Sequence, residues 1–93
     1  MRVRYNRGAA ADLGEILDYL SRHSPVAASN QLARFENTVQ LIGKFPFIGK
    51  ETKRLNLRQV VVGEYLMVYE IGADVVTIHY VRHGSRKRPW QAE

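Results

Sequence analysis

Residues 55–82 read LNLRQVVVGEYLMVYEIGADVVTIHYVR: three runs rich in Val, Ile and Tyr, broken at Gly63 and at Gly72-Ala73-Asp74. Such runs bounded by turn residues read as β-strands, here Leu55–Val62, Glu64–Ile71 and Val75–Arg82. The breaks are far shorter than the crossover a parallel pair requires, so the three strands pair antiparallel. In the last run Val75, Val76, Ile78, Tyr80 and Val81 put apolar groups on both faces, which predicts a strand inside the sheet.

Upstream the period changes. Ala10, Leu13, Ile16, Leu17 and Leu20 form one helical stripe, with Asp12, Glu15 and Asp18 on the other faces and acids early enough to suit the helix dipole. Gly8 reads as the break before this helix. Ser24-Pro25 closes it and opens another, because serine is a favoured N-cap and proline a favoured first helical residue. Ala28, Leu32, Phe35, Val39 and Ile42 then repeat at helical spacing, predicting a helix over 25–42 with Gly43 just past its end. Two amphipathic helices so closely joined fold into an antiparallel hairpin. Lys44 to Lys53, with Phe45-Pro46 and Gly49, reads as a loop that Phe45, Phe47 and Ile48 pin to the core. Arg2-Val3-Arg4-Tyr5 alternates as a half-buried strand does. The expected order is β-α-α-β-β-β: an α+β fold with a helix hairpin on one face of a mainly antiparallel sheet.

The 93 residues suffice for one domain, 1–93, and the composition is ordinarily globular, with 45% apolar and 25% charged side chains. No apolar run approaches the roughly 18 residues of a membrane span. Met1 to Gly8 is basic with no apolar core behind it, so no secretory leader is expected. Cysteine is absent, which excludes disulfides and thiolate metal sites. The expectation is a cytoplasmic domain that approaches no membrane and carries no cofactor.

Charge is the first functional signal. Fourteen Lys and Arg against nine Asp and Glu give +5 and a pI near 9.9. Nine of the basic residues lie after residue 43. Two groups bracket the strands: Lys50, Lys53, Arg54 and Arg58 before, and Arg82, Arg86, Lys87 and Arg88 after. Such a field draws polyanions or acidic protein segments, and strand pairing offers a way to join both groups into one surface. Solvated edge residues that discourage aggregation are the plain alternative. His83, flanked by Arg82 and Gly84-Ser85-Arg86, is a candidate proton-exchanging group or a structural strand-end histidine. His79 reads as sheet packing and His23 as a helix-end cation, and the three are not at metal-ligand spacing. Tyr65 and Tyr69 share a strand face, suited to stacking on bases or to packing in the core. Trp90 is a tail anchor or a partner contact. No phosphate-cradling loop, nucleophile elbow or paired-carboxylate motif is present.

The ending Val76-Thr77-Ile78-His79-Tyr80-Val81-Arg82-His83-Gly84-Ser85-Arg86 resembles the last strand and following turn of the RelE/ParE toxins of bacterial type II toxin–antitoxin systems. Ala11-Asp12-Leu13 with Ile16 and Tyr19, Phe45-Pro46 with Gly49, and Arg58 ahead of Tyr65 and Tyr69 fit the same pattern. The resemblance spans Val3 to Arg86. It implies a growth-arresting toxin neutralised by a cognate antitoxin. One branch consists of ribosome-dependent mRNA endonucleases. In that case Arg58 would stabilise charge, Arg82 or Arg86 would grip phosphate, and His83 would exchange the proton. The other branch poisons DNA gyrase by binding. Toxicity would then follow surface contacts spread over the helices and tail; in either branch the candidate nucleic-acid or target contacts are Lys53, Arg54, Arg82, Lys87, Arg88, Tyr65 and Tyr69. The middle strand Glu64-Tyr65-Leu66-Met67-Val68-Tyr69-Glu70 has no basic residue, and no tyrosine follows His83. Both departures from the endonuclease pattern point to the gyrase branch. A member that binds antitoxin without being toxic is the third alternative.

Overall fold

A computed structural model describes residues 1–84. Arg86, Lys87, Arg88 and Trp90 lie outside the described residues. The order is β1 (Arg2–Tyr5), α1 (Arg7–His23), α2 (Pro25–Lys44), a 3-10 turn (Pro46–Ile48), β2 (Lys50–Glu51), β3 (Leu57–Val62), β4 (Tyr65–Ile71) and β5 (Val75–His83). The strands form one five-stranded sheet in the order β1-β5-β4-β3-β2. Of these strands only β1 runs parallel to its neighbour; the other pairs are antiparallel. The α+β expectation holds, and so does the internal position of the last strand, which lies between β1 and β4.

The helices begin where side chains cap them. Ser24 accepts from the Ala27 N–H at 3.1 Å, with Pro25 behind it. α1 starts earlier than the apolar stripe suggests, because the Asn6 side chain accepts from the Ala9 N–H at 2.7 Å. Gly8 therefore lies inside the helix. Its first turn holds no acid, and Asp12 does different work: its carboxylate accepts from the Val81 N–H at 3.0 Å. β1 stops at Tyr5, opposite Ile78, so a β5 N–H beyond that point needs another acceptor, and α1 brings one. Gly43 also lies within its helix. A Cβ there would sit 2.9 Å from the Met1 carbonyl oxygen, so the glycine serves a close approach and not a helix end.

The helices cover one sheet face. Phe35 and Ile42 from α2, Ala9 from α1, and Val62, Tyr65, Met67, Tyr69, Val76, Ile78 and Val81 from the sheet form the core. The alternation in β5 is interrupted. Val68 pairs with Tyr80 and Tyr69 with Ile78, leaving His79 as the extra residue of a bulge. The bulge resets which side chains point inward, so Ile78 and Val81 are both buried although three apart. For these two residues, the apolar pattern that suggested burial on both faces comes from a phase shift along a single buried face. β3 begins at Leu57, not Leu55, because Asn56 takes a left-handed φ of 66°, which asparagine tolerates. Gly63, at φ 65°, makes the turn to β4, and Gln31 Nε2 steadies it by donating to the Val62 carbonyl at 3.2 Å.

Candidate functional site

The segment after α2 is held differently from the sequence expectation. Phe45, Phe47 and Ile48 do not pin it; they are 60%, 69% and 47% exposed. Its backbone is held instead. The buried Tyr69 hydroxyl accepts from the Gly49 N–H at 2.9 Å and donates to the Pro46 carbonyl at 2.6 Å. Burial raises the Tyr69 phenol above its ordinary 10.0, against the lowering effects of the Gly49 N–H and of Arg58. Arg58 pairs across the strands with Tyr69 and shares its sheet face. Arg58 Nη1 donates to the Gly49 carbonyl at 2.8 Å and the Phe47 carbonyl at 3.3 Å, while Nη2 meets the Glu51 carboxylate at 3.3 Å. The guanidinium also lies over the Phe47 ring, 4.9 Å from its centroid. These contacts restrain a short edge strand, β2, within the stretch read as loop.

His83 stands at the other end of the sheet. It pairs with Tyr65, and the two rings meet edge-on with centroids 5.4 Å apart. His83 Nε2 lies 3.2 Å from Glu64 Oε1, and Tyr65 packs on Phe35 at 5.8 Å. Arg58 sits opposite Tyr69 and His83 opposite Tyr65, so four positions of β4 separate them, roughly 13 Å at strand rise. The described residues bring these two candidates to opposite ends of the sheet.

The basic groups are likewise divided. Lys53 and Arg54 line a groove of ≈ 440 Å³ together with Phe47, Leu55 and Arg58. Arg82 pairs with Leu66, and its guanidinium lies over the Tyr80 ring at 5.4 Å. Strand alternation puts Leu66 on the face opposite Tyr65 and Tyr69, so Arg82 lies on the face the helices leave open. The described members are therefore split: Lys53, Arg54 and Arg58 line the groove, while Lys50, through its pairing with Gln59 opposite Val68, shares the open face with Arg82. Tyr65 and Tyr69 are 8% and 0% exposed, which places both rings in the core rather than on a stacking platform. On the open face His79 Nε2 meets Glu70 Oε1 at 2.8 Å and Arg4 Nε donates to Thr77 Oγ1 at 3.2 Å. His23 donates from Nδ1 to the Tyr19 carbonyl at 2.9 Å and packs on the Tyr19 ring. Among the described residues no three His, Asp or Glu side chains gather as a metal site.

Two roles were not legible in the sequence: that of Asp12, which anchors β5, and that of Leu55, which is 90% exposed. Nothing in the local pattern marks either. Asp12 looks like any helix-surface acid, and Leu55 like the first residue of a strand.

A helix hairpin on one face of a mixed five-stranded sheet, with basic side chains at its margins, defines a small α+β protein. Residues 3–88 match the model of the ParE toxin of the type II toxin–antitoxin system parDE, and the chain belongs to this family. Toxin RelE2 of Caulobacter vibrioides is 31% identical over 78 residues, covering 84% of this chain and 89% of its own. The protein Y4kP of Sinorhizobium fredii is 29% identical over 90 residues, covering 95% of this chain and 93% of its own. A solved structure described as the chromosomal ParDE system from P. aeruginosa shares the fold with a TM-score of 0.76 at 18% identity. That match covers 89% of this chain and 95% of the other. The family implies a cognate antitoxin as partner. Among the described residues no helix is long and apolar enough to cross a membrane.

Proposed function

We propose that this toxin arrests growth in the cytoplasm by binding DNA gyrase, in the manner of the ParE branch, and not by cutting RNA. The observation that carries this reading is the separation of Arg58 from His83. Cleavage through a 2′-hydroxyl needs a proton-exchanging group and a charge-stabilising cation within hydrogen-bond reach of one phosphate. Here the candidate cation is engaged by two loop carbonyls and Glu51, and the candidate histidine lies at the far end of the sheet. The relative named RelE2 keeps the endonuclease as the competing reading.

Inducible expression in bacteria lacking the antitoxin tests the choice. The expected result is growth arrest with DNA-break signalling and intact mRNA, retained in His83→Ala. Cuts in mRNA on translating ribosomes, abolished by Arg58→Gln or His83→Ala, would overturn the gyrase reading. Unimpaired growth with abundant wild-type protein would support the non-toxic, antitoxin-binding alternative.

A further inference from the structure

The groove beside the 3-10 turn has features that the binding of a nucleic acid leaves unexplained. Leu55 projects from it at 90% exposure, and Phe47 stands across it at 69%. Phe45 and Ile48 extend the apolar surface along the turn. Large side chains in this number along one short segment mark an interaction surface. Beside them lie Lys53 and Arg54, neither of which has an ion-pair partner among the described residues, while the nearby Glu51 is matched by Arg58. Cations between aliphatic side chains suit acidic protein, because a phosphate backbone offers Leu55 nothing to pack against. β2 ends the sheet on this side, so the outer edge of Lys50–Glu51 has no neighbouring strand among the described residues. An extended segment can add there through main-chain hydrogen bonds. The backbone beneath is already fixed by Tyr69 and Arg58, which lowers the ordering cost of docking.

We infer that this groove takes an extended, acidic segment of the antitoxin that seats an apolar side chain between Phe47 and Leu55. The assignment rests on the family reading of an antitoxin partner. Lys53 and Arg54 set the charge complementarity, and the edge of β2 sets the direction of the segment.

The test measures affinity of the whole toxin for its cognate antitoxin by calorimetry at several salt concentrations. Leu55→Glu and the pair Lys53→Glu/Arg54→Glu should each weaken binding at least tenfold. The charge-reversed pair should also flatten the salt dependence. Val26→Glu, at an exposed position near the start of α2, makes the same kind of charge change away from the groove and should bind as wild type does. Thermal melts check that each variant is folded, and the high exposure of Leu55 keeps its substitution from disturbing the core. Wild-type affinity in both groove variants would overturn the assignment while leaving the antitoxin reading intact. Loss of growth arrest with unchanged antitoxin affinity would overturn it too and give the groove to the target. Displacement of the antitoxin by a single-stranded RNA oligonucleotide, lost in Lys53→Glu/Arg54→Glu, would give it to nucleic acid. A wild-type toxin that fails to bind antitoxin would remove the family reading and this assignment together.

Discussion

β4 carries two tyrosines four residues apart, and each holds its end of the molecule by a different means. The ring of Tyr65 packs between those of Phe35 and His83. Tyr69 works by its hydroxyl, which joins Gly49 to Pro46 while Arg58 takes the carbonyls beside them. Where apolar side chains make the joint, they are used up in making it. Where main-chain groups make it, the segment's own aromatics are left facing outward, and Phe45 and Phe47 do so. One residue type thus produces an end closed by ring packing and an end whose aromatics face outward.

Substitutions can break this contrast, and the largest effect belongs to the closed end. Phe35→Ala removes the ring against which Tyr65 packs and should cost about 3–5 kcal/mol in chemical denaturation. Tyr69→Phe keeps the ring but strips Gly49 N–H and the Pro46 carbonyl of a partner, for a loss of about 1–3 kcal/mol. It should also change the alkaline behaviour. The folded-state phenol is raised, so the folded protein holds its proton more tightly than the unfolded chain. Stability from this group is therefore intact below the unfolded value near 10.0 and falls as pH climbs toward the folded one. Tyr69→Phe should lose that part of the fall, as denaturation between pH 9 and 11 would reveal.

Two glycines sharpen the same comparison. A Cβ at Gly49 would lie 2.6 Å from the Tyr69 hydroxyl and 2.9 Å from the Gln59 carbonyl, so Gly49→Ala should cost about 1–3 kcal/mol and loosen the turn. At the closed end a Cβ on Gly84 would meet nothing nearer than 3.6 Å among the described residues, and Gly84→Ala should stay within about 0.5 kcal/mol of wild type. Equal losses from the two would show that the ends are held alike. Glu51→Ala should matter about as little, about 0–1 kcal/mol, since the carboxylate of this pair is largely exposed.

What could be read in advance follows a physical line. Ser24-Pro25 announces a helix start because cap and proline act on adjacent backbone, and the apolar content of β5 marks it as a strand inside the sheet and not at its edge. Features that depend on distant partners stayed hidden. Gly43 looks like a helix end until the Met1 backbone is laid against it. The bulge at His79 is invisible in a list of alternating residues, because it exists only relative to β4. Phe45 and Phe47 look like anchors because aromatic residues usually are; only the hydroxyl of Tyr69, some twenty residues on, makes their burial unnecessary. The candidate site was legible as residue types, with Lys53, Arg54, Arg58 and His83 all noticed. Their grouping was not, since pairing register decides which of them meet.

The parallel pairing of β1 with β5 has a consequence for synthesis. Arg4 and Thr77, which meet across that pair, are 73 residues apart in the chain. At roughly 5–20 residues per second, a ribosome takes roughly 4–15 s to supply the second after the first. Through that interval the first strand has no place in a sheet, and β4 lacks one of its two neighbours. An interrupted chain that stops short of Val75 is left with two unfinished edges and no core strand between them. Stalled synthesis should therefore yield fragments that proteases clear.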